Sequence, residues 1–242
     1  MSAGESSHSA DTAARAPAPR QYNASPPLLI FDLDGTLVDS QHGIARSFNH
    51  ALVEAAAQAP IAPERVFALI GLPLTQMFAQ TLPEADEARI AACIAVYRAH
   101  NSRHEIPRTQ PFPGVHETLT ALRAAGRTLT VATTKTQEVA DMMVDAAGLR
   151  RYFALVLGGD AVPHHKPHPA LVLRTLADHG HKPHDAIVVG DSNYDILMAA
   201  GAGVRSCGVT YGAQPAAALR AAGATHLIDA MPELLPLVGL GA

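Results

Sequence analysis

No apolar run in this 242-residue chain is long enough to cross a bilayer. Basic residues are few and scattered: 18 Lys and Arg stand against 22 Asp and Glu, a formal net charge of −4. That leaves no cationic footprint for nucleic acid or an acidic membrane surface. Cysteine is scarce too. Cys93 and Cys207 are the only two, and neither lies in a CxxC or metal-ligand spacing, which argues against a disulfide framework and fits a reducing compartment. No GxxxxGK[ST] occurs, so a P-loop is unsupported. The "GAGV" of residues 201–204 follows a helical pattern instead of opening one, unlike a dinucleotide fingerprint. These absences predict a cytoplasmic protein with no nucleic-acid or membrane partner. A monomer and a homodimer both fit the sequence.

What is present divides into three parts. Residues 1–25, "MSAGESSHSADTAARAPAPRQYNAS", are rich in Ala, Ser and Pro and nearly free of large apolar side chains. Such a segment cannot bury enough surface to order itself, and it lacks the apolar stretch of a secretory signal. It is expected to be a disordered N-terminal tail. Beyond it, short apolar runs alternate with helical patterns: "LLIF" (28–31), "LTVAT" (129–133), "ALVLG" (154–158), "AIVVG" (186–190), "CGVT" (207–210) and "HLI" (226–228). Continuously apolar runs of this length suit strands covered on both faces. Helical stretches between them, such as "GVHETLTALRAAG", end in Gly. The alternation predicts an α/β fold, a Rossmann-like doubly wound parallel sheet. Met142 and Met143 fall in an amphipathic helical pattern and are expected in the core.

One region breaks the rhythm. From 42 to 110 no strand pattern occurs, while Ile44, Phe48 and Leu52, and again Ile90, Ile94 and Tyr97, recur at helical spacing. "IPRTQPFPG" then marks an irregular linker. Residues 42–110 are therefore expected to be an inserted helical cap. The catalytic core would be 26–41 with 111–242. An insert directly after the first strand hangs over the carboxyl edge of the sheet, where open α/β folds bind ligands.

Polar residues recur at the predicted strand ends. "LLIFDLDGT" places Asp32 and Asp34 two apart on one side of an extended backbone, with Gly35 and Thr36 allowing a sharp exit. Adjacent carboxylates repel unless a proton or cation sits between them, and a hard divalent ion such as Mg²⁺ meets that need. "GDSNYD" supplies Asp191 past another strand end, and Asp195 one helical turn later, behind it. Thr133 ends the "LTVAT" strand and Thr134 follows it, where a hydroxyl and exposed amides at a helix start suit a phosphate oxygen. Lys166 sits in the proline-stiffened "HHKPHP".

In this order the motifs resemble those of the haloacid dehalogenase-like superfamily of phosphohydrolases: "DLDGT", the Thr of "ATTK", the Lys of "KPHP", and "GDSNYD". The resemblance spans roughly 28–236, and the insert looks like the family's C1-type cap. It implies that Asp32 attacks phosphorus to form an aspartyl-phosphate, and that Asp34 acts as general acid and then general base. Mg²⁺ would be held by Asp32, Asp191 and the main-chain carbonyl of Asp34. Thr133, Thr134 and Lys166 would hold the phosphoryl group, with Asp195, Gly35 and Thr36 supporting the site. "GLPLTQMF", "FPGVHETLTALRAAG" and "GVTYGAQPAAALRAAGATHLID" look like phosphoglycolate phosphatases, so the expected substrate is a small phosphorylated metabolite, 2-phosphoglycolate first. Thr134, where that branch often has Asn, and the "YRAHN" and "VATTK" stretches keep pyrophosphatase and sugar-phosphate phosphatase or mutase activities as alternatives. A phospho-Asp signalling receiver shares the strand-end Asp, Thr and Lys, but has no acid at the position of Asp34.

Overall fold

A computed structural model describes residues 22–241. The strands are β1 (Leu28–Phe31), β2 (Val38–Asp39), β3 (Gln110–Pro111), β4 (Thr128–Ala132), β5 (Leu155–Leu157), β6 (Ala186–Gly190), β7 (Arg205–Val209) and β8 (His226–Ile228). The helices are α1 (Gln41–Ala56), α2 (Pro63–Phe67), α3 (Leu74–Thr81), α4 (Glu87–His100), α5 (Val115–Ala124), α6 (Gln137–Ala146), α7 (Ala170–His179), α8 (Asn193–Gly201), α9 (Ala216–Ala221) and α10 (Leu234–Leu237). Each of the six expected apolar runs is a strand, and together they form one sheet in the order β5-β4-β1-β6-β7-β8, every pair parallel.

The sheet is covered on both faces because its central strands β1 and β6 carry only apolar residues and glycine, and β4 adds only two threonines to its apolar run. In β1, Leu29 and Phe31 enter one core with residues of α5, α6 and α10, while Leu28 and Ile30 enter a second with residues of α7 and α8. This is the period-two alternation of an extended chain, with apolar residues on both sides. Of the two methionines expected in the core, Met143 is buried but Met142 is exposed. Adjacent helical residues point about 100° apart, and the sheet-facing stripe of α6 takes Ala140, Met143 and Val144.

Helices α1–α4 stand between β1 and β4 and build a third core of their own from Ile44, Phe48, Leu52, Phe78, Cys93 and Tyr97. The Phe48 and Phe78 rings stack at 4.3 Å. The chain leaves for this insert and returns from it through β2 and β3, which pair antiparallel (Val38↔Pro111, Asp39↔Gln110). The linker read as irregular thus carries a short strand. Its proline is tolerated because this two-stranded ribbon consists of edges alone. Residues 1–21 of the expected tail lie outside the described residues. The four tail residues that are described are not loose: the Asn23 amide donates to the His184 carbonyl at 3.0 Å, and Arg127 Nη1 donates to the Ser25 carbonyl at 3.2 Å.

Candidate active site

Strand register decides which residues meet. β1 lies between β4 and β6, with Phe31 level with Val131 on one side and Val189 on the other. The Asp32 amide continues the ladder to the Val189 carbonyl at 2.9 Å. Asp32, Thr133 and Asp191, each the first residue past the end of its strand, the latter two one step beyond the level of Asp32, emerge together at the carboxyl edge. From β1 the chain builds β4 and β5 to one side and β6 to β8 to the other, so this edge is the point where the winding reverses.

Lys166 reaches this edge from the loop before α7. Its ammonium is fully enclosed, 2.7 Å from Asp32 Oδ1 and 2.6 Å from Asp195 Oδ1. Burial opposes the charge, but the Asp195 and Asp32 carboxylates outweigh it and hold the lysine pKa above its usual value. Asp195 is fixed from behind: its Oδ2 accepts the Ser192 amide at 3.1 Å and the Ser192 hydroxyl at 2.6 Å, a reciprocal cap that starts α8. Asp32 is itself buried. Desolvation pushes its carboxyl up to about 7, with Lys166 pulling down and Asp195 and Asp34 pushing further up. Asp191 rises well above the carboxylate range for the same reason, desolvation first, then Asp32 and Asp195.

Asp34 has separate company. Its Oδ1 accepts the Ser40 hydroxyl at 2.6 Å and lies 3.6 Å from the Lys135 ammonium. Asp191 accepts the Thr36 hydroxyl at 3.3 Å and the Ala213 amide at 2.6 Å. Gly35 has φ +73°, and a Cβ there would overlap the Asp191 carboxylate. The sharp exit after the acid pair thus needs glycine both for its left-handed backbone and for the close approach of Asp191. Thr133 is buried and its hydroxyl accepts the Lys135 amide at 3.3 Å; Thr134 lines the open side.

Above the acids, between sheet edge and insert, lies a cavity of about 190 Å³ whose walls include Ile70, Leu74, Tyr97, Arg98, Thr134 and Lys135. All the expected site residues fall at this edge. Carboxylate oxygens of Asp32, Asp191 and Asp195 come within 4.8 Å of one another. Sequence reasoning missed Ser40 and Lys135, which hold Asp34, and the Tyr211–Ala213 loop, whose Tyr211 hydroxyl donates to the Thr36 carbonyl at 2.9 Å. Ser40 stands at the end of the first motif and could have been found there. The loop has no motif of its own; only the fold brings it over Asp191.

Fold and site define a class: an α/β enzyme whose acids and lysine converge at the carboxyl edge of a doubly wound sheet, under a helical insert. The family model described as haloacid dehalogenase-like hydrolase matches residues 29–209. The chain belongs to this family, and it is a phosphatase. It is 41% identical over 214 residues to "Probable phosphatase IndB" of Dickeya dadantii, covering 86% of this chain and 92% of that one. To a phosphoglycolate phosphatase of Agrobacterium fabrum it is 40% identical, covering 77% and 81%. To the pyrophosphatase PpaX of Halalkalibacterium halodurans it is 33% identical, covering 88% and 97%. Among solved structures, a haloacid dehalogenase-like family protein of Streptococcus pneumoniae superposes with a TM-score of 0.79 at 26% identity, covering 88% of this chain and 98% of that one. Among the described residues no helix is long and apolar enough to cross a membrane.

Proposed function

We propose that this enzyme hydrolyses a small phosphomonoester through a covalent intermediate on Asp32, with 2-phosphoglycolate as its first substrate and glycolate and phosphate as products. The observation that carries the reading is the division of labour between two acids two residues apart. Asp32 is engaged by the buried Lys166, Asp34 by Ser40 and Lys135. In the first half-reaction a carboxylate oxygen of Asp32 attacks phosphorus, and the ester oxygen leaves with a proton from Asp34. In the second, Asp34 takes a proton from the water that attacks the aspartyl-phosphate, and Asp32 is released. Lys166 offsets phosphoryl charge, and Thr133 and Thr134 with the amides that follow β4 hold its oxygens in line.

A hard divalent cation fits the donor set. Three carboxylates crowd one buried edge, and Asp32 and Asp191 are pushed up by burial and mutual repulsion, a cost that a dication between them offsets. Asp195 is committed to Lys166 and Ser192, so Asp32, Asp191 and the Asp34 carbonyl are the proposed holders, with Mg²⁺ as the ion. When bound, it would supply charge neutralisation for the phosphoryl oxygens. Helices α1–α4 act as a cap that shields the cavity from water, and the enzyme works in the cytoplasm, which suits its two free buried cysteines. A phosphate-release panel with Mg²⁺ tests the substrate: 2-phosphoglycolate, pyrophosphate, sugar phosphates and nucleotides. We expect the highest kcat/KM for 2-phosphoglycolate; a clear lead for pyrophosphate or a sugar phosphate overturns that assignment.

A further inference from the structure

The cavity above the acid pair has two unlike walls. One is apolar and comes from the Ile70–Met77 stretch, with Ile70, Leu72, Leu74 and Met77 facing in. The other comes from α4 and the wide turn that continues it, with Ile94, Tyr97, Arg98, Asn101 and Ser102. Those five positions follow the i, i+3, i+4, i+7, i+8 spacing of one helical face. The turn, Asn101–Glu105, is wound with i→i+5 hydrogen bonds, the Ile106 amide donating to the Asn101 carbonyl, and Asn101 and Ser102 still line the cavity. Apart from Ile94 this face is polar.

The charges in the cavity are mostly spoken for. Lys166 is bound by Asp32 and Asp195, and Lys135 lies against Asp34. Arg98 is different. Among the described residues its guanidinium has no carboxylate within 4.0 Å and makes no side-chain hydrogen bond, and it is the arginine that lines this cavity. A second observation on the same face points to a ligand. Tyr97 is buried, and its hydroxyl makes no close hydrogen bond although it faces the Lys135 ammonium. A buried polar atom left this way is costly unless something arriving later satisfies it.

We propose that this face of α4 is a subsite for a second, non-transferred anionic group of the substrate, with Arg98 as the residue that selects it and the Tyr97 hydroxyl as a donor beside it. The inference rests on the phosphatase reading above and narrows it: the preferred substrates are phosphate esters of acidic alcohols or diphosphates, not esters of neutral ones. A planar guanidinium can meet either a carboxylate or a phosphate with two parallel hydrogen bonds. The wall opposite is mostly apolar, with Thr75 its one lining side-chain hydroxyl and no charged group, so it suits the carbon skeleton.

The test compares kcat/KM for 2-phosphoglycolate, pyrophosphate and p-nitrophenyl phosphate, which has no second acidic group, in the wild type, Arg98→Gln and Arg98→Lys. Arg98→Gln is expected to lower the ratio of a doubly anionic substrate to p-nitrophenyl phosphate at least tenfold, mainly through KM, and Arg98→Lys to restore part of it. Whichever of the two ratios falls further tells a carboxylate subsite from a phosphate one. Tyr97→Phe is expected to raise KM for the favoured substrate more than it lowers kcat. Ratios within twofold of wild type in Arg98→Gln overturn the subsite, as does an equal fall for all three substrates. A wild-type enzyme that releases phosphate from none of them sinks the phosphatase reading and the subsite with it, so the two failures are told apart.

Discussion

Asp32 and Asp34 carry the same functional group two residues apart, and their neighbours give them different surroundings. A buried lysine touches Asp32, and a hydroxyl and a more distant lysine touch Asp34. Replacing Asp32 by Asn keeps the shape and removes the proposed nucleophile, so phosphate release should fall about a thousandfold or more and no phosphorylated protein should accumulate. Acid-quench labelling with a ³²P substrate reads both, and activity within tenfold of wild type would contradict the assignment. Asp34→Asn should leave a trappable intermediate while slowing turnover about 10²- to 10⁴-fold; absence of label under single-turnover conditions, with substrate consumed, would assign the proton transfers elsewhere. These two acids, with Thr133, Lys166 and Asp191, were legible because each follows an apolar run or a proline-bounded turn. Ser40, six residues from Asp34 at the end of the first motif, was within reach of sequence reasoning; Lys135 was not, since its meeting with Asp34 depends on how two separate loops fold back over the sheet edge.

Among the elements, α8 links fold stability to the site most directly. Its capping box uses Ser192 and Asp195, and the same Asp195 carboxylate holds Lys166. Ser192→Ala should therefore cost about 1 kcal/mol of stability, as a lost N-cap does, and should also lower kcat because the Lys166 ammonium loses its fixed partner. Thermal unfolding and initial rates on one preparation check it, and a stability loss with kcat unchanged would show that Asp195 holds its place without the cap. The insert shows where sequence patterns suffice and where they fail. The 3.6-residue spacing of Ile44, Phe48 and Leu52 is a local property, so α1 could be foreseen. That β2 and β3 pair where the insert leaves and rejoins the sheet could not, because two residues on each side carry no periodicity and the partners, Val38 with Pro111 and Asp39 with Gln110, lie far apart in the chain.

For the whole molecule, the crowding of acids at one edge ties stability to pH and to cations. A buried carboxyl raised to about 7 favours the folded state below its unfolded value near 3.8, and that contribution is lost as pH climbs through 7. Asp191 shifts the same way. A divalent cation relieves the repulsion only where protons do not already do so, so the rise in Tm on adding Mg²⁺ over EDTA should be larger at pH 8 than at pH 5.5. Calorimetry at both pH values tests this, and an equal or reversed rise would place the cation away from these acids. Taking the difference cancels groups that titrate alike with and without the ion, such as His100, whose pKa burial and the neighbouring His50 and His104 depress. The sequence by itself determined the strands, the helical insert after the first of them, and the order in which acids, hydroxyl and lysine arrive, because these follow from local apolar periodicity and from turn residues at strand ends. Only the tertiary structure decided that β1 lies between β4 and β6, that Asp195 faces Lys166, that the Tyr211–Ala213 loop closes over Asp191, and that one face of α4 turns an unpaired arginine toward the cavity. Those are contacts between segments tens of residues apart, set by packing and register, and no short window of sequence contains both partners.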